Sequence, residues 1–413
     1  MKRLWFLLAA LVAVAGFAEV LEETSFLPVE HPAIQFTMTR TTNDRIAKLD
    51  RELETGKAKL AFDAKLGYLP ALMKALDLNA DSQVLVFSKT SIQNKFIGPK
   101  TPRAIYFNDD TMLGYVPGAD LLEFTAVDPV LGVQPYTMEP DRQAKPGFAR
   151  RDDCLRCHMG NQTMGIPGLM VSSVHPYSET REGHGNSFVT DQDTPFAERW
   201  GGWYVTGTHG DMKHLGNSIT LVNPLAPGPL LKEGTLNVMS VADRFDTQVY
   251  PAATSDIVAL MTLEHQVRMT NILVRIGWDT RIREYDKKPL DEIDWEFDEA
   301  VRYMLFAGSP DLPSPVAGTS TFSQTFPKRG PRDSQGRSLR DFDLKTRLFR
   351  YPLSYMIYSQ AFESLPASAK KRVYDRLHRA LDGTSKAAAH LSEADRKAIA
   401  EILTETKPGF KAQ

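Results

Sequence analysis

The chain has 413 residues, 42% of them hydrophobic, with 49 basic against 51 acidic side chains and a formal charge of −2. That length can bury a large core, in two or three domains or one elaborate one. Near-neutral charge, with no obvious repeats or low-complexity blocks, gives no reason to expect a nucleic-acid partner.

At the N-terminus, Lys2 and Arg3 precede an apolar stretch from Leu4 to Val14 and the small-residue segment Gly16-Phe17-Ala18. This pattern predicts a signal peptide over residues 1–18 and export to the periplasm. The apolar stretch is short for a bilayer span, so no stable membrane span is expected after cleavage. Retention as an uncleaved anchor is the alternative.

Residues 40–77 carry Ile46, Leu49, Leu53, Leu60, Leu66, Leu69 and Leu72 at helical spacing, interrupted by Gly56, Gly67 and Pro70. From residue 84 the pattern changes to short apolar runs between turn residues. Strands are predicted over 84–87, 104–107, 112–116, 121–127 and 133–138, then over 169–174, 202–207 and 218–222. Asn108-Asp109-Asp110 reads as a tight turn, with a calcium site as the alternative. Thr194-Pro195 predicts the start of a short helix.

Beyond residue 256 the chain reads as helical over 256–278, 291–307, 344–362, 366–382 and 392–405, with an irregular connection over 308–343. Ser392 to Asp395 resembles a capping box, and Gly383 is a helix terminator. The expected class is α+β: a helical N-terminal lead, a β-rich middle and a mostly helical C-terminal part. The expected division is a haem-bearing region over 19–225 and a mainly helical region over 226–413, the two forming one domain as an alternative.

The chain's two cysteines both fall in Cys154-Leu155-Arg156-Cys157-His158. This C-x-x-C-H pattern is the attachment site for c-type haem. On a helical turn the three side chains share one face. Two thioethers would tether the haem, and His158 would be the proximal iron ligand. A thioredoxin-like thiol pair is the alternative. Half of a zinc site is excluded because there is no second cysteine pair.

Two residues are candidates for the distal iron position. His209 ends a predicted strand in a glycine-bounded turn after Trp200, Trp203 and Tyr204. His265 lies in the apolar stripe of the helix at 256–278, beside a polar stripe of Glu264, Arg268, Asn271 and Arg275. Ordinary packing or a core hydrogen bond is the bland reading of each. The turn Gly165-Ile166-Pro167-Gly168 could supply a proline carbonyl to the Nδ1 proton of His158. Residues 328–350 hold eight Lys or Arg against Asp333, Asp341 and Asp343, which suits either propionates, an acidic redox partner or a solvated loop.

Cys154, Cys157 and His158 resemble the haem-binding motif of c-type cytochromes over those five positions. The chain is much longer than a compact cytochrome c. Its segments Phe107-Asn108-Asp109-Asp110, Glu198-Arg199-Trp200-Gly201-Gly202-Trp203-Tyr204 and Leu348-Phe349-Arg350-Tyr351-Pro352 resemble a family of large bacterial periplasmic monohaem proteins. The resemblance to that family implies no reaction; the attachment motif implies one covalent haem c, and the preferred expectation is single-electron transfer to or from a redox protein partner. The alternative is a haem enzyme acting on a small oxidant, such as peroxide or a nitrogen oxide. Its distal site would be open, with His209, His214 or Arg199 beside it. A haem-based sensor is a third reading.

Overall fold

A computed structural model describes residues 26–37, 39–141, 144–175, 186–219 and 234–410. The predicted signal peptide at 1–18 and most of the predicted strand at 218–222 lie outside the described residues.

The helical lead is α1 (Arg45–Glu54) and α2 (Leu69–Ala75). Asp44 caps α1 by accepting from the Ile46 and Ala47 amides, at 2.9 and 3.0 Å. The Tyr136 hydroxyl also donates to Asp44, at 2.6 Å, and so ties this helix to the sheet beneath it.

The sheet follows as β1 (Val84–Val86), β2 (Arg103–Phe107), β3 (Thr111–Tyr115), β4 (Leu122–Asp128), β5 (Gly132–Met138) and β6 (Ala149–Arg150). The Cys-Leu-Arg-Cys-His segment forms the single turn α3 (Leu155–His158). A separate hairpin, β7 (Val171–His175) and β8 (Asn186–Thr190), comes next, and β9 (Trp203–Tyr204) returns to the main sheet. Seven strands stand in the order β6-β5-β4-β3-β2-β1-β9, with every neighbouring pair antiparallel. Five predicted strands therefore appear within about a residue of their expected places. Asn108 makes the β2–β3 turn, its Oδ1 accepting from the Thr111 amide at 3.0 Å. Asp109 pairs with Arg340, and Asp110 accepts from the Gln360 amide at 2.9 Å, so these acids serve packing.

Period-two alternation gives the sheet two faces. Ala104, Tyr106, Leu113, Phe124 and Tyr136 pack with Ile46, Leu49, Leu69 and Leu72 of the helical lead. Val84, Val86 and Val133 face the other way, into a second core shared with the C-terminal helices.

Short strands β10 (Gly207–Thr208) and β11 (Ala317–Gly318) pair with each other. Between them run α4 (Ile257–Asp286) and α5 (Asp294–Met304). Beyond them lie α6 (Phe322–Thr325), α7 (Gln360–Glu363), α8 (Ala367–Leu381) and α9 (Glu393–Thr406). The helix expected over 344–362 is instead mostly irregular, with only a short 3-10 turn at Tyr355–Tyr358 and the one-turn α7. Pro352 removes a backbone donor there and disfavours helix in the residue before it. The predicted cap Thr194 instead accepts from the Asp191 amide, at 3.1 Å.

The long helix α4 is the axis of the molecule. Apart from half-buried Arg268, which lies 3.8 Å from Asp191, its expected polar stripe does not face water, because sheet, loops and C-terminal helices enclose it. Glu264, Asn271 and Arg275 are all buried. Each is bonded, as buried polar groups must be: Glu264 with Arg199 at 3.1 Å, Arg275 with Glu296 at 3.0 Å, and Asn271 with the backbone of Leu169. The α+β class stands as expected. Among the described residues no helix is long and apolar enough to cross a membrane.

Candidate functional site

A cavity of about 750 Å³ lies between the sheet and the α3 turn. Its floor is the face of β2–β5 that turns away from the helical lead, with Arg103, Ile105, Met112, Gly114, Glu123, Thr125 and Pro135 lining it. Cys154, Cys157 and His158 line it too, with Leu169, Met170 and Val171 from the following segment and Leu263 and Val267 from α4. The volume falls in the ordinary range for small-molecule and cofactor sites, and the apolar back wall is joined by charged side chains, Lys89, Arg103, Glu123, Asp153 and Arg156. A second cleft, of about 900 Å³, lies beside α8. There Arg372 pairs with Asp291 and Asp294, both at 2.5 Å, and Arg376 with Asp294 and Asp298, at 2.9 and 2.6 Å, so these cations are already matched and the sheet cavity is the better candidate.

The α3 turn is held from both ends. The Cys157 and His158 amides both bond the Cys154 carbonyl, at 3.2 and 3.0 Å, so the thiols stand on one turn. Both are free cysteines, with Cys154 half-buried and Cys157 exposed. Burial, helped by the negative charges of Asp153 and Glu123, pushes the Cys154 thiol up to about 11. Asp153 is itself gripped by Arg151, at 2.9 and 2.6 Å.

His158 Nδ1 donates to the Gly168 carbonyl at 2.9 Å. The sequence pointed to this turn but to its proline; the acceptor is the next residue. That bond puts the proton on Nδ1 and leaves the Nε2 lone pair for whatever occupies the cavity. Desolvation lowers the imidazole's basicity, only partly opposed by the Gly168 carbonyl, so the ring stays neutral. The Gly168 carbonyl is fixed in turn by its neighbour. Asn271 Oδ1 accepts from the Leu169 amide at 2.9 Å, and Asn271 Nδ2 donates to the Leu169 carbonyl at 2.7 Å. A Cβ on Gly168 would come 2.6 Å from Asn271 Oδ1, which explains glycine there.

Across the floor, Glu123 accepts from the Ser91 hydroxyl at 2.5 Å and from Arg103 at 3.1 Å. These polar residues were not among the sequence candidates. The available signal was the alternation along β2 and β4, which places Arg103 and Glu123 on one face.

The other expected site residues lie elsewhere. His209 and His265 do not line this cavity. His265 is enclosed beside Tyr303 and Phe306, with Nδ1 on Gln192 at 2.5 Å and Nε2 on Ser354 at 2.6 Å. His209 Nε2 accepts from the Asn237 amide at 2.9 Å and lies 3.2 Å from His214 Nε2. Arg199 is buried against Glu264 rather than poised over a pocket. In the basic stretch, Arg329, Arg332, Arg337, Arg340 and Arg347 are held in ion pairs.

Among the described residues no three His, Cys, Asp or Glu side chains come together where they could hold a metal ion. No known protein family, curated protein or solved structure matches the chain. On these findings two expectations are corrected: membership of the c-type cytochromes or of the large monohaem family, and covalent haem c as the cofactor. The five-residue motif fixes only local spacing, whereas the expected six-coordinate iron also needed His209 or His265 brought opposite His158. The fold commits both of those rings to other bonds. What stands at the motif is a cavity whose wall carries two thiols and a neutral imidazole.

Proposed function

We propose that this is a binding protein for a large, mostly apolar ring compound, held in the cavity between the sheet and the α3 turn. The carrying observation is the convergence of Cys154, Cys157 and His158 on one 750 Å³ space with an apolar back wall. Buried apolar area would supply most of the binding free energy. His158 Nε2 and the Arg103–Glu123 pair would orient the ligand, as sparse polar groups do in such sites.

The role proposed for the bound compound is single-electron exchange with a redox protein partner outside the cytoplasm. Exposed Cys157 marks the rim of the cavity, where the edge of a bound ring system would be closest to a docked partner. The N-terminal export pattern supports the compartment.

The test is to purify the full chain from a host that exports it, then measure its intact mass under native conditions and its visible spectrum during reductive titration. A discrete added mass and a one-electron spectral change are expected. A bare processed chain with a featureless spectrum overturns the proposal.

A further inference from the structure

Gly114 is an anomaly in the cavity floor. It sits mid-strand in β3, opposite Ile105 on one side and Glu123 on the other. Glycine in a strand interior weakens the strand, and it persists where the backbone bends, where packing leaves no room, or where a ligand approaches. The first two reasons fail here. β3 keeps unbroken one-to-one register with β2 and β4 through Gly114, so there is no bulge, and Gly114 is not among the residues with positive φ. A Cβ built on it would meet Glu123 Oε2 at 3.4 Å, Glu123 Cβ at 3.5 Å and Arg103 Cδ at 3.6 Å, all ordinary contacts. By contrast, Gly168 and Gly201 have neighbours at 2.6 Å and cannot take a side chain in place.

The protein itself therefore has no use for a missing side chain at position 114. Its effect is on the cavity: Met112 and Ile105 stand up from the same face, and Gly114 leaves a flat step between them and the Arg103–Glu123 pair. We infer that Gly114 is a specificity-determining position, a bare patch of backbone against which one flat face of an aromatic or conjugated ring ligand lies. This rests on the cavity being the binding site, and it names the class of ligand that the cavity takes. A planar face gains close contact over many atoms only if no side chain holds it off the strand.

The test uses the full chain freed of bound ligand, its mass checked as that of the bare chain, and anilinonaphthalene sulfonate, a flat aromatic anion, followed by fluorescence. Wild type, Gly114→Ala and Gly114→Leu are compared for dye affinity and melting temperature. Both variants are expected to melt at or above the wild-type temperature, with dye affinity reduced severalfold in Gly114→Ala and at least tenfold in Gly114→Leu. Unchanged affinity in a folded Gly114→Leu protein overturns the inference, as does a wild type that does not bind the dye. If Gly114→Leu fails to fold, Gly114→Ala decides by the same criterion. Failure of the binding-protein reading shows separately, as an exported wild type that carries no ligand.

Discussion

Asn271 and Leu169, 102 residues apart in the chain, are joined by two hydrogen bonds that use both backbone groups of Leu169, at 2.9 and 2.7 Å. Through them the central helix fixes the segment whose Gly168 carbonyl orients His158. The imidazole at the cavity wall is thus aimed by a residue on α4, outside the motif that contains it.

Replacing Asn271 with Leu should leave the Leu169 amide and carbonyl buried without partners. The expected loss is about 2–4 kcal/mol, from two unsatisfied groups at 1–3 kcal/mol each less the gain from a larger apolar side chain. Urea unfolding measures it. A loss below about 0.5 kcal/mol would show that the segment holds itself in place.

Arg199 and Glu264 form a buried ion pair, with Thr190 also donating to Glu264 at 2.8 Å. Arg199→Leu strands an uncompensated buried carboxylate and should cost about 3–5 kcal/mol. The double variant Arg199→Leu with Glu264→Leu should recover much of that loss, because the charge is gone as well. A double variant as unstable as the single one would mean that the arginine's backbone contacts, to Thr194 and Gln192, dominate.

Asp256 caps α4, accepting from the Val258 and Ala259 amides at 2.8 and 3.1 Å, and its other oxygen accepts from Ser320. Asp256→Ala should cost about 2 kcal/mol or more, the upper end of the range for a lost cap, since the bonds from both the amide and the hydroxyl of Ser320 go too, against the single Tyr136 bond at Asp44. Thermal unfolding against Asp44→Ala, the cap of the short α1, checks it; the α4 variant should be the less stable of the two.

Acid sensitivity follows from His214. Desolvation, with His209 beside it, lowers its folded pKa to about 3 from an ordinary 6.5. A group whose folded pKa is depressed contributes stability above the unfolded value and loses it as pH falls toward the folded one. Between pH 6.5 and pH 5 His214 should cost the protein about 2 kcal/mol, at about 1.4 kcal/mol per unit. Asp110, pushed up to about 6 by burial and by Asp109, acts with the opposite sign over the range from about 6 down to 4. Its contribution is common to wild type and variant. His214→Gln should therefore unfold with a shallower pH dependence than wild type in this window, whatever its stability at pH 7. Parallel pH profiles would remove His214 as a cause.

The two thiols should differ in reactivity. Cys154 is half-buried and its thiol is pushed up to about 11, whereas Cys157 is exposed. Since the thiolate is the nucleophile, iodoacetamide at pH 8 should label Cys157 first in chain free of ligand. Peptide mapping of the singly modified form checks this, and labelling of Cys154 at an equal or faster rate contradicts it.

Much of the fold was legible because its signals are local. Alternation at 103–138 marked the central strands, and Ser392 with Asp395 marked the start of the last helix, because period and capping depend only on neighbours in the chain. The stretch at 344–362 misled because its apolar residues satisfy the core without regular structure. The Gly165–Gly168 turn was placed correctly beside His158, although the bonding carbonyl is Gly168's.

The sequence by itself determined most of the strand and helix segments, the α+β class and the placing of Cys154, Cys157 and His158 on one turn, since these depend on residues a few positions apart. Only the tertiary structure decided what that turn faces. Gly114 and the Arg103–Glu123 pair became its floor, Asn271 became its anchor, and His209 and His265 went to other partners. Those pairings join residues tens to hundreds of positions apart, and packing, which no local spacing encodes, selects among the many partners a buried polar group could take.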